Sequence, residues 1–196
     1  MSYSTLNKRF MKFGERFADT RFAQWLLGVW AFLESSIWFI APDLLLLPLV
    51  AARPKKLFRY ISIALGASIL GGITYISLIS VNPSFWELVL SSTPFVKEYM
   101  FVYVNERYDS YGVWGVLWQS FSLFSFKIWT FLAFERGFSW LAFFSLAAIS
   151  RFARFFLGAG IVVFGAVRAR RLLERHAILF FSLFVLVFFT LVLLVE

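Results

Sequence analysis

Six ionisable side chains stand in otherwise apolar stretches of this sequence: Glu34, Asp43, Lys127, Glu135, Arg151 and Arg154. A charge at the centre of a bilayer costs about 2.5–3.5 kcal/mol on the insertion scale, so such residues pair with one another or line a polar pathway. Arg151 and Arg154 are three residues apart and therefore share a helix face. Two guanidiniums there exceed what one carboxylate needs, and their planar forks match the oxygens of a phosphate. Glu34 and Asp43 together would balance them equally well. Glu135, beside Arg136, reads as an interfacial residue. No Ser/His pairing, paired-carboxylate spacing or metal-ligand spacing stands out. The chain has no cysteine and one histidine, His176, which reads as interfacial. No catalytic residue, metal or cofactor is expected, and the protein is read as a non-enzyme.

The elements that must position these charges are written in the composition. Of 196 residues, 61% are hydrophobic and 15% charged, against about 45–50% and ~25% in a soluble domain. This predicts an integral membrane protein. Uncharged runs from Tyr60 to Trp86 and from Ala177 to Val195 are long enough to cross a bilayer. The net charge of +8 comes from short basic clusters between apolar segments, the pattern of cytoplasmic loops, so nucleic-acid binding is not expected. Residues 1–21 read as a basic amphipathic surface helix with no cleavable signal.

Lys8, Arg9, Lys12, Arg16 and Arg21 precede the first apolar segment, and Arg53, Lys55, Lys56 and Arg59 follow it. Both clusters are expected on the cytoplasmic side, so residues 22–52 must enter the membrane and return. From Asp43 to Ala52 a helix would span about 15 Å, half the hydrocarbon core. The break at Ala41–Pro42 then lies at mid-membrane, with Pro42 at a hairpin tip enclosed by protein. Tyr60 to Val81 crosses outward, and residues 82–110 form an outer segment. Residues 111–134 form a second re-entrant hairpin holding Lys127, and residues 138–167 return. Residues 22–176 thus form one transmembrane domain, followed by a C-terminal transmembrane helix over 177–196 that ends outside. The predicted fold is all-α: an inverted repeat of two re-entrant hairpins, each followed by a spanning helix, with Asp43 laid on Lys127 at an offset of 84. Gly66, Gly71, Gly72, Gly158, Gly160 and Gly165 are read as close-packing positions, and the tryptophans mainly as interface anchors.

The residues that carry this plan resemble a family. ESSIWFIAPDLLLLPLVAARP, the small-residue helix ALGASILGGITY, YGVWGVLWQSFSLFSFK and SRFARFFLGAG are similar to segments of the DedA or VTT-domain membrane proteins, also called SNARE-associated Golgi protein-like, and most closely of their YqaA-like branch. Trp38, Phe39 and Ala41 stand where that family usually has prolines, and FSLFSFK has none. The resemblance implies opposed re-entrant hairpins in the bacterial inner membrane, with a cytoplasmic N-terminus. It also implies movement of an anionic-headgroup lipid, undecaprenyl phosphate or a phospholipid, between leaflets, with proton coupling in bacterial relatives. On that expectation Arg151, Arg154 and Lys127 bind the headgroup, and Glu34 and Asp43 pair with them or carry protons. The partners are the lipid and protons, with self-association left open. The alternatives are a proton- or ion-coupled small-solute transporter and a non-transporting assembly protein.

Overall fold

The computed structural model describes residues 3–93, 96–122, 124–168 and 170–194. Among them every regular element is helical. Helix α1 (Tyr3–Asp19) stops at Thr20, whose hydroxyl accepts from the Ala23 amide at 3.1 Å and so caps the start of α2 (Arg21–Ser36). Near the end of α2, the Ser36 hydroxyl turns back to the Phe32 carbonyl at 2.8 Å, and the Ile37 and Trp38 amides both donate to the Leu33 carbonyl. Pro42 then opens α3 (Asp43–Ala52), a ten-residue helix with Asp43 in its first turn, where a carboxylate suits the helix dipole. Arg53–Pro54 ends it, and a 3-10 turn leads into α4 (Leu57–Val81).

Asn82 accepts from the Phe85 amide and Pro83 occupies the first turn, together starting α5 (Pro83–Ser91). Helix α6 (Glu98–Tyr111) closes on Gly112, whose φ of +56° favours glycine. A 3-10 segment, Gly112–Ser120, follows. Then come α7 (Phe126–Glu135), a turn at Gly137 (φ +64°), α8 (Trp140–Arg168) and α9 (Arg170–Leu194). Helix α9 is interrupted by non-helical backbone at His176. The buried Asn7 side chain of α1 accepts the Ile178 amide just beyond that break, at 3.1 Å.

Two helical stretches are long and apolar enough to cross a membrane, Pro54–Val81 and Trp140–Gly165. At 1.5 Å per residue the second, of 26 residues, reaches about 39 Å, more than the ~30 Å hydrocarbon core. The apolar run expected over 177–196 is helical as far as Leu194. Its described apolar piece, His176–Val187, is shorter than the other two. Glu196, expected on the outer side, lies outside the described residues.

Helix ends recur at a fixed interval. Helices α3 and α7 both have ten residues, from 43 to 52 and from 126 to 135, and α4 and α8 begin at 57 and 140. The interval is 83 residues in each case, one less than the expected offset and within the usual uncertainty of helix ends. Expected close packing holds at two of six glycines: a Cβ on Gly158 would make only ordinary contact with Leu47 at 3.7 Å, and Gly160 and Gly165 face open space. A Cβ on Gly71 would stand 2.3 Å from the Phe32 carbonyl of α2, and one on Gly72 would stand 2.8 Å from the Phe126 ring, whereas Gly66 faces open space.

The apolar core is divided. One cluster joins α1, α2, α3, the start of α4 and the later part of α8 through Leu27, Leu46, Val50, Tyr60 and Phe155. The other joins the end of α4, α5, α6, α7 and the start of α8 through Tyr75, Met100, Tyr108, Trp129 and Phe143. Trp129 is fully buried, not an interface anchor; its carbonyl accepts from the Tyr108 hydroxyl at 2.9 Å.

Candidate functional site

The ionisable residues Glu34, Lys127 and Arg151 are buried and belong to neither apolar cluster. Helix α8 supplies Arg151 and Arg154 from one face, one reaching α2 and the other α3. Arg151 Nη2 donates to Glu34 Oε2 of α2 at 2.5 Å, and Arg154 Nη2 to Asp43 Oδ2 of α3 at 3.2 Å. The expected excess of arginine over carboxylate is thus resolved one-to-one, the balanced arrangement. Ser35 also donates to Glu34 Oε2, at 2.9 Å.

Lys127, in the first turn of α7, has no carboxylate of its own. Its ammonium donates to the backbone carbonyls of Glu34 and Trp38 and lies 4.2 Å from the centroid of the Phe39 ring. A cation at a helix N-terminus opposes the dipole, but here it meets the carbonyl end of α2, where a positive charge is favoured. Lys127 therefore serves the break between α2 and α3. The break is completed by Trp30, whose indole N–H donates to the Ile40 carbonyl at 3.0 Å, and by Pro42, whose carbonyl accepts from the Leu45 and Leu46 amides. Pro42 is buried, as a tip enclosed by protein requires, but Ile37 and Trp38 are exposed, so only part of the break is enclosed. The second break is served in the same manner from α8: Arg154 Nη1 donates to the Ser122 carbonyl at 3.2 Å.

The two arginines differ in access. The Arg151 and Glu34 side chains are 4% and 8% exposed, whereas Arg154 and Asp43 are 20% and 15% exposed. Arg151 packs against the Phe126 ring at 4.5 Å, and its Nε and Nη1 are buried without a hydrogen-bond partner. The layer thus holds three basic side chains against two carboxylates and keeps two guanidinium nitrogens unsatisfied. Glu135 lies apart and exposed at the end of α7, while the neighbouring Arg136 pairs with Asp109 at 2.7 Å.

Sequence reasoning missed a hydroxyl seam beside the charges. Ser120 donates to the Ser150 carbonyl at 2.6 Å, and the Ser150 hydroxyl lies 3.4 Å from Oε1 of the buried Gln119. The available signal was the presence of Gln119 and Ser120 within an aromatic run. Among the described residues no three His, Asp or Glu side chains converge as metal ligands would.

Comparison with known proteins adds one relative. An uncharacterized protein of Haemophilus influenzae is 25% identical over 158 residues, covering 79% of this chain and 81% of that protein. No family model and no solved structure matches the chain. The charge layer must therefore be interpreted from its own geometry.

Proposed function

We propose that the chain is an integral membrane protein of the DedA type that moves a lipid with an anionic headgroup between leaflets. The observation that carries this reading is the buried charge layer: three bases to two acids, with Arg151 nitrogens unsatisfied and Arg154 at its accessible edge. A phosphate arriving at Arg154 displaces Asp43 and meets the bidentate guanidinium geometry it favours, with Arg151 one helical turn behind. Protonation of Asp43 or Glu34 would release an arginine to the headgroup, which gives a route for proton coupling. The tails remain in lipid throughout.

The membrane reading is supported by the outward apolar faces of α4 and α8, where Leu70, Ile73, Ile149, Ile161 and Phe164 are exposed. The inverted repeat is supported by the 83-residue recurrence of helix starts and by two chain breaks whose carbonyls are each taken by a basic side chain. In this scheme α1 is cytoplasmic and α6 lies on the outer side. A single cysteine at Ala52 and one at Ser110 should therefore react with an impermeant reagent from opposite faces; labelling of both from one face contradicts the topology.

The one-to-one pairing favours a second reading, in which the pairs merely lock α8 to the first hairpin. Leaflet exchange separates the two. Purified protein in vesicles should exchange phosphatidylglycerol or a polyprenyl phosphate faster than protein-free vesicles, and Arg154→Lys should slow exchange by about tenfold while remaining folded, because lysine lacks the fork. Parental exchange in a folded Arg154→Lys protein would leave the lock as the better account.

A further inference from the structure

A cation outside the charge layer, Arg107 of α6, packs against two aromatic rings. The Arg107 guanidinium carbon lies 4.7 Å from the centroid of the Tyr103 ring, one turn earlier in α6, and 4.8 Å from that of Trp118 in the 3-10 segment. Gly115 allows that segment to approach: a Cβ there would stand 2.7 Å from the Arg107 carbonyl. The guanidinium thus lies within cation–π distance of both rings.

Among the described residues its polar atoms have no hydrogen-bonding or ionic partner. Arg107 Nε is buried with no hydrogen-bond partner, and no ion pair or hydrogen bond to this guanidinium is formed among the described residues. By contrast Arg53, Arg136, Arg151 and Arg154 each hold a carboxylate. The nearby Asp109 is taken by Arg136, and Glu106, the adjacent residue, lies on a different helix face. On the same two elements and just beyond them, Tyr111, Trp114, Trp118 and Phe121 are exposed, apolar aromatic surface in sequence near a planar cation. That combination suits a ligand with an anionic head and an apolar body. Phe121 also directly precedes Ser122, whose carbonyl is bonded to Arg154.

We propose that Arg107, lying against the Tyr103 and Trp118 rings, is a phosphate-binding subsite for lipid headgroups at the α6 end of the protein. Binding rests on this local geometry alone. Its use as a docking point before or after Arg154 rests on the transport reading above.

The test uses the full chain in neutral detergent, with a fluorophore on Ser110→Cys, an exposed position in a cysteine-free protein. The probes are short-chain phosphatidic acid, diacylglycerol of the same chain length, and inorganic phosphate. Phosphatidic acid should give a saturable response that diacylglycerol does not. Arg107→Gln should weaken it by roughly tenfold or more, and Arg107→Lys by a smaller but measurable factor, since each removes the planar charge. Inorganic phosphate responding as strongly as phosphatidic acid identifies a free-anion site and overturns the lipid assignment. No difference between phosphatidic acid and diacylglycerol in the parental protein, or unchanged affinity in a folded Arg107 variant, overturns the subsite. Micelles have no leaflets, so a saturable Arg107-dependent response supports the subsite even if vesicle exchange fails. Loss of exchange bears only on the transport reading.

Discussion

Removing one member of the Arg151–Glu34 pair should be among the most damaging substitutions in this chain, and removing both should be far less damaging than their sum. The pair is 2.5 Å long and its side chains are 4% and 8% exposed, so solvent screens it little. Breaking such a pair strands a buried charge, at a cost of about 3–5 kcal/mol. Glu34→Gln keeps the shape and the Ser35 contact, and Arg151→Met keeps most of the packing against Phe126. Each single variant should lose ~3–5 kcal/mol, and the double variant should retain at least ~2 kcal/mol relative to the sum, because neither charge is then stranded. Equilibrium unfolding in mixed micelles, with all four proteins titrated under one condition, measures the cycle. Strict additivity, within about 0.5 kcal/mol, would refute the claim that these two charges are buried against each other.

Lys127→Met should leave the Glu34 and Trp38 carbonyls without their donor and cost ~1–3 kcal/mol, with increased hydrogen exchange at residues 37–42; unchanged protection there would remove lysine's role at the break. Gly71→Val should cost about 1–3 kcal/mol in thermal or chemical unfolding, since even a Cβ would meet the Phe32 carbonyl at 2.3 Å; an unchanged midpoint would mean α2 and α4 are less close than described. At the N-terminal end, hydrogen bonds from Arg53 and Lys56 hold the Asp19 carboxyl down to about 2. A carboxylate depressed in the folded state contributes stability above its unfolded value near 3.9 and loses it as pH falls through the folded value. Docking of α1 should therefore persist to pH 4 and weaken toward pH 2, and Asp19→Asn should abolish that acid dependence, as read by a fluorophore on α1. Release at pH 5–6 in the parental protein would assign the latch to another group.

Much of the positioning framework was legible in the sequence. Pro42–Asp43 and Arg53–Pro54 bracket a ten-residue arm because proline and a first-turn acid mark helix ends regardless of tertiary context. The charges stood out because they interrupt apolar runs. What each charge touches was less legible. Lys127 bonds to backbone carbonyls, which have no sequence signature, and the hydroxyl seam at Ser120 and Ser150 uses residues that are too common to single out. The stretch Gly112–Ser120, read from sequence as part of an apolar re-entrant hairpin, is a 3-10 segment. Its approach to α6 depends on Gly115 meeting the Arg107 carbonyl, a long-range contact that periodicity cannot reveal.

The measurement that tests the account most directly is leaflet exchange by the charge-swapped protein, Asp43→Arg with Arg154→Asp, alongside its melting temperature. The swap preserves an ion pair between α3 and α8 but separates the two guanidiniums that share one face of α8. A headgroup site predicts a folded protein, melting near the parental value, with exchange of anionic lipid reduced to the protein-free rate. Parental exchange by that folded variant would contradict the central claim, because pairing alone would then be all that the buried charges provide.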